Sequence, residues 1–192
     1  MLFVEAYKNR FKLPEDAIVI DTTSRSRSWT RGLSPFVLQA GYLYDNYYAK
    51  SVENAYQGCK CYCDFVDNDE PTEEYFKWAQ KIWASSYVYR YPMGRGIKPI
   101  FSYWNGEKLN YIEARKKIYI PLYSRAVVKS EAFKKLLEIY RTTDKDIYLI
   151  CFDGYNHKEK GMTLADVANN EKKSMGHAFV IYDLLQRYKN NL

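Results

Sequence analysis

The chain lacks any apolar run long enough to cross a bilayer, has only two histidines and no Cys-x-x-Cys pair, and carries no polybasic or low-complexity tail. The first absence argues against a membrane span, and Glu5, Lys8 and Arg10 interrupt the apolar stretch that a signal peptide would need, so a soluble, unexported, cytoplasmic protein is expected. His157 and His177 lie in separate segments and offer no ligand cluster. Three of the four cysteines are packed as Cys59-Lys60-Cys61-Tyr62-Cys63, whose one-residue gaps are not zinc spacing. They read as reduced core or near-surface thiols, with Cys151 far away. No internal repeat or heptad array is present, which removes solenoids and coiled coils.

What is abundant is aromatic. Twenty tyrosines, nine phenylalanines and four tryptophans in 192 residues can build a core whose phenol tips reach the surface, with a few rings left to stack on a base. The length suits one well-buried core, so a single domain over residues 1–192 is expected. The net charge of +6, from 29 basic and 23 acidic residues, is compatible with a phosphate-bearing ligand or a nucleic acid without requiring either.

Element signals are mixed. Ala17-Ile18-Val19-Ile20 reads as a buried strand running into a polar loop, where Arg25, Arg27 and Arg31 with Trp29 make a plausible phosphate and base cradle. An acidic turn at 67–74 precedes a helix with Tyr75, Trp78, Ala79, Ile82 and Trp83 on one face. The stretch 90–99 is a Gly/Pro loop with three cations. A short helix is expected over Glu107–Lys117, an extended segment over Ile118–Leu122 with Pro121 at an edge, and a long helix from Ser124 or Ser130 to about Arg141. Ile147–Phe152 is the clearest strand and delivers Asp153 to its end; Ser174 onward to Tyr188 reads as a final amphipathic helix. This order favours a mainly helical α+β domain with a small sheet over a regular βαβ array.

One segment carries more chemistry than the rest. Ser51 is a good N-cap, and Glu53 falls in the first helical turn, where an acid complements the free N–H groups. Val52, Ala55, Tyr56 and Cys59 recur at helical spacing, while Glu53, Gln57 and Lys60 form a polar stripe at i, i+4 and i+7 that could line a cleft.

Leu33-Ser34-Pro35-Phe36, followed by Ser51-Val52-Glu53 with Tyr56, Gln57 and Lys60, resembles the opening motifs of the NADAR superfamily, the NAD and ADP-ribose associated YbiA-like proteins. There a Phe-Ser-Asn-Phe segment precedes a Ser-Val-Glu helix continuing with an aromatic, Gln and Lys. The later order also resembles that family: a basic segment and long helix, a strand ending in an acid at Asp153, and a final helix opening with Met175-Gly176. Pro35 stands in place of the family's Asn, and Gly154-Tyr155-Asn156-His157 in place of its Trp-Gly, which marks a divergent, phage-type branch.

The resemblance implies a YbiA-like fold and cleavage of an N-glycosidic bond to ribose, with ADP-ribose, a nucleotide-like ligand or a modified nucleic acid as partner and neither metal nor cofactor. It implies Glu53 as the carboxylate beside the anomeric carbon and Asp153 as the group that positions water. Ser34, Phe36 and Gln57 would contact the ligand, Lys60 or Arg31 would hold phosphate, Trp29 or Tyr56 would stack on the base, and Gly176 would allow a close approach. His177 reads as a packed residue. The same residues also fit a non-catalytic ADP-ribose, nucleotide or nucleic-acid binding module, or a small inhibitor of a host enzyme in which Glu53 is merely a helix acid. An inhibitor would lack a deep polar pocket around Glu53.

Overall fold

The computed structural model describes residues 1–190. The amino-terminal Leu2-Val4-Ala6 alternation, not singled out from the sequence, buries every second residue and forms strand β1 (Leu2–Ala6). Strand β2 (Ile18–Asp21) follows, then a hairpin of β3 (Gly41–Tyr42) and β4 (Tyr48–Ala49), and helix α1 (Val52–Gly58). Strand β5 (Lys60–Cys61), a hairpin of β6 (Val66–Asp67) and β7 (Glu70–Pro71), and helix α2 (Glu73–Ala84) come next. Strands β8 (Phe101–Trp104) and β9 (Glu107–Leu109) lead into helix α3 (Tyr111–Ala114), a π-helical turn over Arg115–Tyr119, and helix α4 (Ile120–Val127). The chain closes with α5 (Glu131–Thr142), β10 (Ile147–Cys151), α6 (Leu164–Asn169) and α7 (His177–Asn190). It is an α+β domain with seven α-helices and small sheets among the described residues.

The sheet that matters most has three parallel strands in the order β1-β10-β2, with Leu2 opposite Ile147 and Ile147 opposite Ile18. A second sheet, β5-β8-β9, is antiparallel. One hydrophobic cluster joins the strands of the parallel sheet to α1, α2, α4, α5 and α7, through residues such as Leu149, Val52, Trp83, Tyr123, Leu136 and Phe179. Two of the buried tyrosines serve this core with their hydroxyls tied to backbone. Tyr75 donates to the Cys59 carbonyl at 3.0 Å, and Tyr123 to that of Leu33 at 2.5 Å. No helix among the described residues is long and apolar enough to cross a membrane.

Two expectations fail between residues 105 and 122. The expected helix over 107–117 begins only at Tyr111, because Asn105 and Gly106 both adopt positive φ (49° and 84°) and turn β8 back into β9 as a two-residue hairpin. Asn110 then caps the helix in a reciprocal capping box with Glu113. The expected extended segment 118–122 is helical. Ala114, Ile118 and Leu122 form one buried face along the rod, and Pro121, which offers no N–H to the preceding turn, follows directly on the π-helical distortion. The long helix is capped by Ser130, whose Oγ accepts from the Phe133 amide at 3.1 Å.

Candidate active site

Parallel strands present their carboxyl ends on one side, where ligands gather in α/β sheets. Here β2 leaves Thr22-Thr23-Ser24-Arg25 at that edge and β10 leaves Phe152-Asp153. Helix α1 points its amino terminus at the same place. Its first-turn amides are taken up by the segment 34–38: Val52 donates to the Leu38 carbonyl at 2.9 Å and Glu53 to that of Pro35 at 3.0 Å, while Ser51 Oγ accepts from Asn54 at 3.1 Å. The Ser-Pro-Phe and Ser-Val-Glu motifs are therefore one hydrogen-bonded unit. Pro35 takes part through its carbonyl, so its missing N–H costs this unit nothing.

The resulting cleft has two lobes. The first, about 290 Å³, is walled by Thr23, Arg25, Ser34, Phe36, Gly176 and His177. The second, about 520 Å³, is walled by Tyr56, Gln57, Lys60, Tyr91, Lys98 and Arg115. Glu53, Arg90, Tyr119, Asp153 and Met175 line both, which puts the two carboxylates at the waist. Glu53 is buried and Asp153 is exposed at the rim.

Ser34, Phe36, Gly176 and Arg25 thus meet Glu53 on one side, and Tyr56, Gln57 and Lys60 meet it on the other. Trp29 and Arg31 line neither lobe. Ser26, Ser28 and Thr30 form a hydroxyl knot (Ser26 to Thr30 2.7 Å, Ser28 to Thr30 3.0 Å) pinned to the Asp21 carbonyl at 2.6 Å. Beyond this knot the chain leaves the cleft: Trp29 packs with Lys135 of α5, whose Nζ lies 5.0 Å from the ring centre, and Arg31 is exposed. Gly176 lines the first lobe, but its missing side chain makes room for protein. A Cβ there would collide with Cys151 Sγ and press on the backbone of Asp153.

The expected Glu53, Gln57, Lys60 stripe is a chain of hydrogen bonds, although α1 stops at Gly58 and Lys60 opens β5. Lys60 Nζ donates to Gln57 Oε1 at 2.9 Å, and Gln57 Nε2 donates to Glu53 Oε1 at 2.8 Å. An amide thus links a cation to a carboxyl. Burial raises the Glu53 pKa above the usual carboxylate range, and nearby Asp153 adds to the rise, against the Gln57 bond and the charges of Lys60 and Arg90. Burial also lowers the Lys60 pKa. At the mouth of the first lobe Phe152 is flanked by two guanidinium groups, Arg25 at 5.1 Å and Arg90 at 5.3 Å from its ring centre. These stacked cations suit an anionic ligand.

Participants with little or no sequence signal come from three places in the chain. Arg90 reaches the waist because buried Asn54 holds the preceding loop: its Nδ2 donates to the carbonyls of Ser85 (3.1 Å) and Tyr87 (2.8 Å), and its Oδ1 accepts from the Tyr89 amide (2.9 Å). Tyr119 and Arg115 come from the π-helical turn, a distortion often found at functional sites. Arg115 is buried with no carboxylate partner among the described residues, and its guanidinium donates to the carbonyls of Val167, Ala168, Asn170 and Lys173, fixing the segment that leads to Ser174 and Met175. The third, His177, is bonded to Thr22 and lines the first lobe.

The fold and cleft define a class: an α+β domain with a buried carboxyl at the carboxyl edge of a short parallel sheet. The chain belongs to a family of unknown function, DUF6939, whose model matches residues 4–181. No curated protein and no solved structure matches it. Among the described residues no group of three His, Cys, Asp or Glu is placed to hold a metal ion.

Proposed function

We propose that this protein is a divergent NADAR-type N-glycosidase that hydrolyses the bond between ribose and a base or amine in an ADP-ribosyl or nucleotide-like substrate. The observation that carries the reading is the buried Glu53 carboxyl at the waist of the cleft, joined through Gln57 to Lys60, with Asp153 as a second carboxylate in the same walls. A polar cavity of this kind is the opposite of what an inhibitor's docking face needs.

The two carboxyl groups occupy unlike environments, which is how acid and base roles are divided in glycoside cleavage. Glu53, whose ionisation is opposed by burial, acts as the acid and gives a proton to the leaving nitrogen as the C–N pair departs. The carboxylate left behind faces the oxocarbenium-like carbon, so its charge is best matched in the transition state. Water then adds to that carbon, and its proton passes to Asp153. Tyr119, Phe36 and Met175 enclose the reacting centre, while Arg25 and Arg90 hold the anionic part of the substrate.

The test is Glu53→Gln with an ADP-ribosylated substrate. The amide keeps shape and hydrogen bonding, so turnover should fall by about 10²–10³-fold while a thermal-shift titration with ADP-ribose still raises the midpoint. Undiminished turnover would remove Glu53 from the chemistry and leave Asp153 as the residue to test.

A further inference from the structure

We propose that His177 reads the sugar: its Nδ1 accepts a hydrogen bond from a ribose 2-hydroxyl of the ligand seated beside Glu53, so that the first lobe selects ribosides over 2-deoxyribosides. This inference rests on the N-glycosidase reading for the placement of the sugar.

The orientation of the ring is dictated by what its other nitrogen touches. Nε2 lies 2.8 Å from the Thr22 carbonyl oxygen and 2.8 Å from Thr22 Oγ1. A carbonyl can only accept, so Nε2 carries the hydrogen. The Thr22 hydroxyl cannot supply one instead, since it already donates to the Ile150 carbonyl at 2.8 Å. Thr22 in turn is anchored in the sheet, its amide donating to the same Ile150 carbonyl at 3.0 Å. The imidazole is thus locked as the Nε2–H tautomer by the end of β2.

That leaves Nδ1 as an acceptor with no hydrogen-bond partner among the described residues. It is not sealed in the core either, because the buried, unpartnered side-chain atoms among the described residues are those of Tyr44, Tyr155 and His157. His177 lines the first lobe with Ser34, Glu53 and Asp153. Loss of solvation pushes its pKa down to about 4, so the ring stays neutral and Nδ1 stays an acceptor at physiological pH. An acceptor of this kind pairs with a hydroxyl. The 2-hydroxyl is the sugar donor adjacent to the carbon that Glu53 addresses, and bonds to it strengthen as positive charge develops there.

The experiment compares AMP with 2′-deoxy-AMP by calorimetry on wild type, His177→Gln, His177→Asn and Glu53→Gln, together with histidine ¹⁵N NMR of the wild type. Glutamine can still donate to the Thr22 carbonyl but offers no acceptor at the Nδ1 position; asparagine does the reverse. Wild type should bind AMP about three- to tenfold more tightly than 2′-deoxy-AMP, the worth of one hydrogen bond. His177→Gln should erase that preference with an unchanged melting temperature, His177→Asn should retain part of it, and Glu53→Gln should retain all of it. AMP, and not its deoxy counterpart, should move the Nδ1 resonance of the wild type. Equal affinities in the wild type, a preference that survives in His177→Gln, an Nδ1–H tautomer in the free protein, or no binding of AMP would each overturn the proposal. Full turnover by Glu53→Gln alongside a preference abolished in His177→Gln would sink the catalytic reading and leave this one standing.

Discussion

The two lobes of the cleft share Glu53, Arg90, Tyr119 and Asp153 yet are built in opposite ways. The first is walled by the ends of strands and the starts of helices. Thr22, Thr23, Ser34 and Gly176 are all buried, and Thr22 and Ser34 are tied to backbone partners far away in sequence or one turn ahead. The far wall of the second lobe is the loop from Arg90 to Pro99, where Gly94 and Gly96 take φ of 106° and 90° and Tyr91, Ile97 and Lys98 are exposed. Its internal backbone bonds are two, Gly94 to Tyr91 at 3.1 Å and Ile97 to Gly94 at 3.4 Å. A wall made from element ends holds groups at fixed positions, as proton transfer and charge stabilisation demand. A loop wall with few ties adapts its shape, which suits recognition of a leaving group. Substitutions that add bulk to the first wall should therefore act on fold and chemistry together, and those in the loop of the second on affinity alone.

The sharpest test of the rigid side is Gly176→Val. A side chain here would drive into Cys151 Sγ at the end of β10 and against the Asp153 backbone, so the expected loss is about 3 kcal/mol, the upper part of the overpacking range. Ligand affinity should fall as well, because Asp153 must move. Denaturant unfolding and a thermal-shift titration with ADP-ribose measure the two effects separately. A valine variant with wild-type stability and affinity would mean that this wall yields, and the contrast between the lobes would be lost.

Acid should loosen the first lobe as well. The His177 pKa is depressed from 6.5 to about 4 by burial, against the opposing pull of the Thr22 bond and Asp21. The unfolded chain therefore binds the proton first. The sign follows: the His177 contribution to stability is complete above pH 6.5 and is lost as pH falls from 6.5 towards 4, by about 3 kcal/mol in all. Glu53, with a raised pKa, works in the other direction, and burial lowers the His157 pKa too. The difference in unfolding free energy between wild type and His177→Gln isolates the term. That difference should shift by the stated amount across the window; a flat difference would show that the imidazole is not confined at the sheet edge.

The sequence made this half of the molecule partly legible. Ser51 and the period of Val52, Ala55 and Cys59 announced α1, and the apolar runs before Asp21 and Phe152 announced β2 and β10, because each signal lies within a few residues. The hydrogen-bonded Glu53, Gln57, Lys60 chain was visible as spacing, although Lys60 sits on a strand. What stayed hidden depends on partners distant in sequence. Thr22 and His177 are 155 residues apart, and a lone histidine at a helix start says nothing of its bond. Asn54 reaches Arg90's loop more than thirty residues away. The β-branched and aromatic run Ile118-Tyr119-Ile120 looked extended because propensity was read locally, whereas burial of Ala114, Ile118 and Leu122 along one face decides for helix. Trp29 and Arg31 looked like ligand groups by composition, and the hydroxyl knot at Ser26, Ser28 and Thr30 turns them away.

The smallest expected effect belongs to the adaptable wall. Lys98 is exposed on the loop of the second lobe and shares it with Lys60, Arg90 and Arg115. Its removal takes one solvated cation from a field of several, and an exposed charge is worth under about 1 kcal/mol. Lys98→Ala should weaken ADP-ribose binding by roughly threefold at low ionic strength, with a melting temperature equal to that of wild type. The deficit should shrink as salt is raised to about 1 M, where the screening length falls to roughly 3 Å. Turnover at saturating substrate should not change, since Lys98 lies outside the walls that hold the first lobe. A loss of turnover comparable to that of Glu53→Gln, or a deficit indifferent to salt, would place fixed chemistry in the loop and erase the division of labour between the lobes.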